Sequence, residues 1–133
     1  MKRVHLWLFL FALLLACGAS LCNLKAGKAE ESETRFGKAP ASASARQNPY
    51  EGRPEAVLAG RKLFRRHCAE CHGPEAGGHG KAPDLRSAAV QDASPGTLLW
   101  FLKNGNLKDG MPSWSRLPDE RLWQMVTYLK TLR

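Results

Sequence analysis

The chain has 133 residues, with 20 Lys and Arg against 12 Asp and Glu, a formal net charge of +8. This length predicts one domain at most. The basic side chains form no contiguous block and no patch interleaved with aromatic residues, which, together with the export predicted below, argues against a nucleic-acid-binding protein. The excess instead favours electrostatic steering towards an acidic partner.

The N-terminus has the pattern of a secretory signal. Lys2 and Arg3 precede an uninterrupted apolar run over residues 6–16, LWLFLFALLLA. This run is shorter than the roughly 20 residues needed to cross a bilayer. It matches the basic region and short apolar region of a signal peptide. We therefore predict a signal peptide over 1–16, of the lipoprotein type, and an exported, periplasmic protein.

The residues that end the apolar run bear on membrane attachment. Leu14-Leu15-Ala16-Cys17 resembles the lipobox of bacterial lipoproteins, which implies a lipid on Cys17 and attachment to a membrane. Ordinary cleavage near residues 18–20 and an uncleaved anchor are the alternatives. Cys22 has no assigned role, and a disulfide with Cys17 requires that Cys17 carries no lipid.

Residues 17–49 are predicted to form a disordered tether. From residue 23 onwards the segment is rich in Ala, Ser, Gly, Lys and Glu, with Phe36 as its one aromatic residue. Such a composition buries too little apolar surface to fold. A helix around residues 25–35 is the alternative. The folded domain is then expected over 50–133, which holds 13 basic and 9 acidic side chains, a net charge of +4.

Three helical segments and no strand pattern predict an all-α domain. The first runs from Pro54 to about His67. In the second, Ser94 is the N-cap, Pro95 takes the first helical position, and residues 97–103 follow. The third begins at residues 118–120 and runs to the end of the chain, with one apolar stripe. Glycine- and proline-rich loops cover 73–93 and 105–117.

Three short helices in 84 residues supply too little apolar material for a firm core. A large planar apolar cofactor would complete that core.

The segment Cys68-Ala69-Glu70-Cys71-His72 offers three chemical interpretations: a zinc half-site, a redox dithiol and a haem attachment motif. Zinc needs about four ligands in two pairs, and after His72 only His79 follows. A thioredoxin-like dithiol needs a βαβ unit, whereas C-x-x-C-H attaches c-type haem through two thioethers and its histidine ligates iron.

A haem iron then needs a sixth ligand, and two methionines of the domain compete. Met125 lies on the apolar stripe of the last helix, where core packing is the expected role. Met111 stands in a loop, with Gly110 before it and Pro112 after it. We predict Met111 as the sixth ligand; the alternative is a buried loop methionine.

These motifs together resemble the class I c-type cytochromes, over residues 54–132. Gly60 and Phe64 are similar to the family's N-terminal helix motif, and residues 126–129, with Tyr128, to the C-terminal helix that crosses it. The resemblance implies a small cytochrome c fold, three main helices around one haem c bound covalently through Cys68 and Cys71.

The resemblance also implies the iron ligands. Residues 110–114 resemble the family's axial methionine loop, and Pro83-Asp84-Leu85 its Pro-Asn-Leu or Pro-Asp-Leu. This implies that Nε2 of His72 binds iron opposite Met111. The Pro83 carbonyl would accept the Nδ1 proton of His72 and hold the ring from outside the ligand shell.

Iron held by His72 and Met111 has no open position, so we predict a one-electron carrier rather than an enzyme. The expected partners are redox proteins with an acidic rim, met by the chain as a monomer or as a subunit of a redox complex. The alternatives are a cytochrome subunit of a periplasmic dehydrogenase or oxidase, or a gas-binding or peroxidatic haem protein if Met111 does not ligate. Candidate docking side chains are Lys62, Lys81, Lys103 and Lys108.

Four other conspicuous side chains are expected at the surface, at a helix end or in the packed interior. His67 is expected at the surface or at the helix end, and His79 is expected to be exposed, with a contact to a haem propionate as its alternative. Trp100 and Trp123 are expected to pack in the core or at the haem edge. A propionate hydrogen bond is the further alternative for Trp100.

Overall fold

The computed structural model of the protein describes residues 39–132. The signal peptide, Cys17, Cys22 and the tether up to residue 38 lie outside the described residues. The helices are α1 Ala41–Ser44, α2 Pro54–His67, α3 Ala69–His72, α4 Ala88–Gln91, α5 Pro95–Asn104 and α6 Asp119–Leu129, with a 3-10 turn at Leu107–Asp109. Isolated β-bridges and no strands occur within this range. The predicted all-α class is confirmed. No helix of residues 39–132 is both long enough and apolar enough to cross a membrane.

The predicted helix boundaries agree closely with the structure at the N-terminal ends. Helix α2 starts at Pro54, and α5 starts at Pro95 after its N-cap Ser94, whose side chain accepts a hydrogen bond from the Thr97 amide at 3.1 Å. That bond satisfies one of the amides that a helix start leaves without a partner. Helix α6 ends at Leu129, short of the predicted chain end. The Thr131 hydroxyl there donates to the Tyr128 carbonyl at 2.6 Å, which caps the last turn.

Helices α2 and α6 cross at Gly60. A Cβ built at this position would lie 2.0 Å from the backbone oxygen of Gln124 and 2.8 Å from the Cβ of Tyr128. Next to the crossing, the rings of Phe64 and Tyr128 stack at a tilt, with centroids 5.4 Å apart. Glycine is therefore required for the two backbones to approach. The predicted pairing of Gly60 and Phe64 with the last helix is confirmed.

The core forms two connected groups of buried side chains. The larger joins the inner faces of α5 and α6, and its fully buried members include Leu99, Leu122, Met125 and Val126. The smaller is built on Phe64 and Tyr128, with Ala76 and Leu129. Burying an aliphatic side chain of this size contributes about 1.5–3 kcal/mol to the free energy of folding. Met125 therefore has the packing role predicted for it.

The structure differs from the sequence expectation over residues 39–49, here called the N-terminal strap. The Ser94 hydroxyl donates to the Ser44 carbonyl at 2.8 Å, and Gly96 lies under the Ala43 carbonyl, 2.0 Å from where a Cβ would stand. Asn48 is buried, and its Nδ2 donates to the Thr127 hydroxyl at 2.9 Å. Polar contacts replace the apolar surface whose scarcity predicted disorder, so residues 39–49 pack on α5 and α6.

Candidate haem-binding site

The two cysteines and the histidine of the CAECH segment lie on one helical turn. The Cys68 carbonyl accepts hydrogen bonds from the amides of Cys71 at 3.2 Å and His72 at 2.9 Å. The Cys68 amide itself donates to the Phe64 carbonyl at 2.8 Å, so the turn continues directly from α2. Both thiols are free, because no disulfide joins Cys68 to Cys71. The end of α2 therefore fixes the position of all three side chains.

The two thiols differ in environment. Cys71 is exposed, whereas Cys68 is partly buried, with its Sγ 3.6 Å from the Sδ of Met125. Burial, and secondarily the neighbouring Cys71 thiol, raises the pKa of Cys68 to about 12. Its side chain faces the core and that of Cys71 faces solvent, so the pair lies at the edge of the apolar interior.

The His72 ring is oriented by a backbone carbonyl. Its Nδ1 lies 3.0 Å from the carbonyl oxygen of Pro83, and this contact leaves Nε2 as the ring nitrogen available to a ligand. The loop that brings Pro83 back to His72 closes at Gly78, whose φ is +80° and whose amide donates to the His72 carbonyl at 2.9 Å. A Cβ at Gly78 would lie 2.5 Å from the Ala82 oxygen and 2.7 Å from the Pro83 carbonyl carbon. Glycine is therefore required here.

Met111 is held by an isolated antiparallel β-bridge to Asn106. The Asn106 amide donates to the Met111 carbonyl at 2.8 Å, and the Met111 amide donates back to the Asn106 carbonyl at 2.9 Å. Gly105, at φ +69°, lies under Pro112, where a Cβ would stand 2.6 Å from the Pro112 carbonyl carbon. The Trp114 amide donates to the Leu102 carbonyl at 2.9 Å. These contacts fasten the Met111 loop to the end of α5.

A group of partly buried apolar side chains packs against the main core with part of its surface still uncovered. It includes Cys68, Leu85, Phe101, Met111 and Trp114. Such an apolar surface beside two free thiols and an oriented imidazole fits a flat apolar macrocycle attached by thioethers. A bound haem would supply one-electron chemistry between Fe(II) and Fe(III). The chain's own residues would attach it, orient its ligands and exclude water.

Within residues 39–132 the structure contains no group of three or more His, Cys, Asp or Glu side chains that is arranged to hold a metal ion. The described residues therefore offer no structural zinc site, which needs about four such ligands.

The remaining sequence candidates separate into the core and the surface. Trp123 is buried, and the Arg46 guanidinium lies over its ring at 5.3 Å. Trp100 is partly buried and lines a polar groove with Arg46 and Lys103. His79 is exposed, as predicted. His67 is the last residue of α2, as predicted, and its ring packs on Trp114 with centroids 5.1 Å apart.

Sequence reasoning missed three residues that shape this site. Gly78 and Gly105 permit the two close backbone approaches, and Asn106 pairs with Met111. The density of glycines in 73–80 and the Asn-Gly-Asn segment at 104–106 were the available signals. Neither signal specifies which glycine meets which carbonyl.

Comparison with known proteins agrees with the geometry. Residues 55–129 match the family model described as cytochrome C oxidase, cbb3-type, subunit III. The fold also resembles the crystal structure of cytochrome CL from Methylophaga aminisulfidivorans MPT, with a TM-score of 0.58 and 21% identity over 76% of this chain and 71% of that one. At this identity the structural likeness supports the fold alone.

Sequence relatives include a cytochrome and larger dehydrogenases. Cytochrome c550 of Pseudomonas aeruginosa is 33% identical over 93 residues, which cover 65% of this chain and 62% of the relative. Quinohemoprotein alcohol dehydrogenase ADH IIB of Pseudomonas putida is 34% identical over 93 residues, 68% of this chain and 13% of the relative. The chain thus spans less than two thirds of either relative's length.

Proposed function

The chain belongs to the cytochrome c oxidase, cbb3-type, subunit III family, and on that premise we propose that it is a one-electron carrier. Its cofactor is the covalently bound c-type haem of the cytochrome c family, and its domain fits the class I monohaem type. The relatives include cytochrome c550. One-electron transfer between Fe(II) and Fe(III) does not require a substrate to reach iron.

The observation that carries this proposal is the orientation of His72. Its Nδ1 lies 3.0 Å from the Pro83 oxygen, so Nε2 is the nitrogen that would bind iron, and the free thiols of Cys68 and Cys71 lie on the same turn. Met111, partly buried and held by Asn106, is the proposed second axial ligand. With both axial positions filled, iron exchanges electrons without binding a substrate. We accordingly propose that the chain is not an enzyme.

The test is an optical spectrum of the oxidised and reduced mature holoprotein, with and without carbon monoxide. For wild type we expect low-spin c-type bands, a weak far-red band from sulfur ligation, and no response to carbon monoxide. Met111→Ala should lose the far-red band and bind carbon monoxide. Met125→Leu is the matched control, because Met125 is fully buried in the core and Leu conserves its volume.

One outcome would contradict the carrier proposal, and another would contradict only the ligand assignment. If wild type binds carbon monoxide as readily as Met111→Ala, iron has an open site and a gas-binding or peroxidatic role takes its place. If Met125→Leu loses the far-red band while Met111→Ala keeps it, the ligand assignment is wrong although haem attachment stands.

A second candidate is a cytochrome subunit or partner of a periplasmic dehydrogenase. The similarity to quinohemoprotein alcohol dehydrogenases favours it, because a stretch matching this domain makes up about a tenth of those chains. A subunit would purify in a stoichiometric complex with a dehydrogenase, whereas a carrier would elute alone at the mass of one chain. Mass measurement by light scattering on the native protein distinguishes the two.

The proposed location is the periplasm, with a membrane anchor through lipid on Cys17. The family likeness supports export. The lipid proposal rests on the lipobox-like residues 14–17. Cys17→Ser should move the protein from the membrane fraction to the soluble fraction, with Cys22→Ser as the control that stays at the membrane. Membrane retention of Cys17→Ser would contradict lipidation.

A further inference from the structure

Helix α2 and the start of α6 enclose a groove of about 590 Å³, here called the basic groove. Its apolar part is formed by Ala59, Leu63 and Pro118, and its charged part by Lys62, Arg66 and Arg121. The three cations come from two different helices, and each is exposed. The groove therefore combines an apolar floor with a positively charged rim.

The cations of the basic groove have no anionic partner within the described part of the chain. The three ion pairs of residues 39–132 join Arg46 and Lys103 to Asp119, and Arg86 to Asp84. The one acid that lines the groove, Glu120, accepts a hydrogen bond from the Gln124 side chain at 3.4 Å. Three positive charges thus face one negative charge. By contrast Lys103, one of the docking candidates from the sequence, is neutralised by Asp119 at 2.7 Å.

His67 shows that the positive charges converge. Its pKa is lowered first by burial, and then by the charges of Arg66 and Arg121. One imidazole therefore feels guanidinium groups from both helices at once. A cleft of one sign with an apolar wall concentrates the field and attracts opposite charge more strongly than scattered surface cations do.

The basic groove borders the proposed haem site. Arg66 precedes Cys68 by two positions, and the ring of His67 packs on Trp114 at 5.1 Å. Trp114 belongs to the loop that carries Met111 and packs against the core. A protein seated in this groove would therefore lie next to the attachment turn and the loop that carries Met111.

We propose that the basic groove is the docking site for an acidic segment of a redox partner protein, one that presents at least two carboxylates beside an apolar side chain. This rests on the proposed electron-carrier function and deepens it. The carboxylates would pair with Lys62, Arg66 and Arg121, and the apolar side chain would lie against Ala59 and Pro118. Charge complementarity of this kind raises the association rate and selects the partner.

The experiment uses the reduced, isotope-labelled mature holoprotein and a hexaglutamate peptide as the probe, followed by NMR at low and high salt. Lys62→Glu/Arg66→Glu is compared with Arg61→Glu/Arg65→Glu. The two variants carry the same change in net charge on the same helix, but Arg61 and Arg65 are exposed and do not line the groove. Arg121→Gln is a milder third variant that leaves α2 unchanged.

We expect wild-type resonances of the groove to shift and the groove variant to weaken peptide binding about tenfold or more, against about twofold for the control. Arg121→Gln should also weaken binding. Equal loss in the two double variants would mean that net charge alone attracts the peptide, and would overturn the proposal. So would an absence of shifts at the groove.

The chain's own acidic stretch is the competing occupant. Glu30, Glu31 and Glu33 lie in the sequence outside the described residues. If replacing all three with Gln strengthens peptide binding several-fold, the groove is covered by this chain rather than by a partner, and the proposal fails. The optical spectrum separates these failures from failure of the carrier function, because the axial-ligand bands report the haem irrespective of peptide binding.

Discussion

Gly60 of α2 and Gln124 of α6 touch backbone to backbone. A Cβ at Gly60 would lie 2.0 Å from the Gln124 carbonyl oxygen and 2.7 Å from its carbon. Real Cβ atoms essentially never approach that closely, so any side chain at position 60 must separate the helices. The crossing fixes the end of α2, and α2 continues directly into the turn of Cys68, Cys71 and His72.

Gly60→Ala is therefore expected to destabilise the holoprotein although alanine favours helix formation. Overpacking a close contact costs about 1–3 kcal/mol, which exceeds the gain in helix propensity of about 1 kcal/mol. Denaturant unfolding would measure the change. Leu58→Ala on the same helix is the control, because Leu58 is 61% exposed and its loss should change stability little. A Gly60→Ala protein as stable as wild type would show that the helices part without cost.

The sequence was sufficient for the parts of the fold that depend on local rules. The cap at Ser94, the start of α2 at Pro54 and the apolar stripe of α6 all follow from periodicity and capping, and all are found. The attachment turn was also recognisable, since its residues are adjacent in the chain. The core role of Met125 followed from its place on the stripe.

What the sequence could not supply were contacts between distant segments. The strap was expected to be disordered because its composition is polar. Asn48 is nonetheless buried, since Thr127, far along the chain, provides its hydrogen-bond partner. In the same way, no local sequence pattern predicts that the charges of Arg66 and Arg121 both lower the pKa of His67. Such pairings arise only once segments that are distant in the chain pack on α6.

The buried side chain of Asn48 predicts a specific cost of detaching the strap. Its Nδ2 donates to the Thr127 hydroxyl at 2.9 Å, and its Oδ1 accepts from the Tyr50 amide at 3.0 Å. Asn48→Ala leaves buried polar partners unsatisfied and should reduce the free energy of unfolding by about 1–3 kcal/mol. The adjacent Gln47→Ala is the matched control, because Gln47 is exposed. Equal effects of the two substitutions would mean that the strap contributes no specific contact.

Asp119 links the strap to α5 and predicts a pH dependence of stability. It pairs with Lys103 at 2.7 Å and Arg46 at 3.3 Å, and the Lys103 hydrogen bond, ahead of that from Arg46, lowers its pKa below the ordinary 3.8. A lowered carboxyl pKa stabilises the fold above the unfolded value and is lost as pH falls through the folded value. Asp119→Asn should therefore destabilise the protein near pH 7, and the difference from wild type should vanish in acid.

The size of the Asp119 effect is limited by solvent. Its side chain is 43% exposed, so we expect less than about 1 kcal/mol near neutral pH. Denaturant midpoints across a pH series would measure it. Asp92→Asn is the control, because Asp92 is exposed and forms no ion pair with another residue in the 39–132 range. A wild-type-to-Asn difference that persists unchanged in acid would assign the effect to lost hydrogen bonding rather than to charge.

The lowered pKa of His67 predicts a second pH dependence of stability. Burial, then Arg66, then Arg121 lower its pKa from the ordinary 6.5, so its neutral form is favoured in the folded state. The resulting stability is present above the unfolded pKa and is lost as pH falls through the folded value. Arg121→Gln should raise the pKa of His67 only part of the way, since burial is the larger cause. An NMR titration of the ring protons in the reduced protein measures it.

Arg116→Gln is the control for the His67 titration, because Arg116 is exposed in the loop before α6 and is not among the causes of the shift. It removes the same charge from the protein, so a general electrostatic effect would move the His67 pKa equally in both variants. A shift confined to Arg121→Gln would establish that the guanidinium of α6 acts locally on the imidazole at the end of α2. An unmoved pKa in Arg121→Gln would leave burial and Arg66 as the causes and would show that the cations of the two helices do not converge on His67.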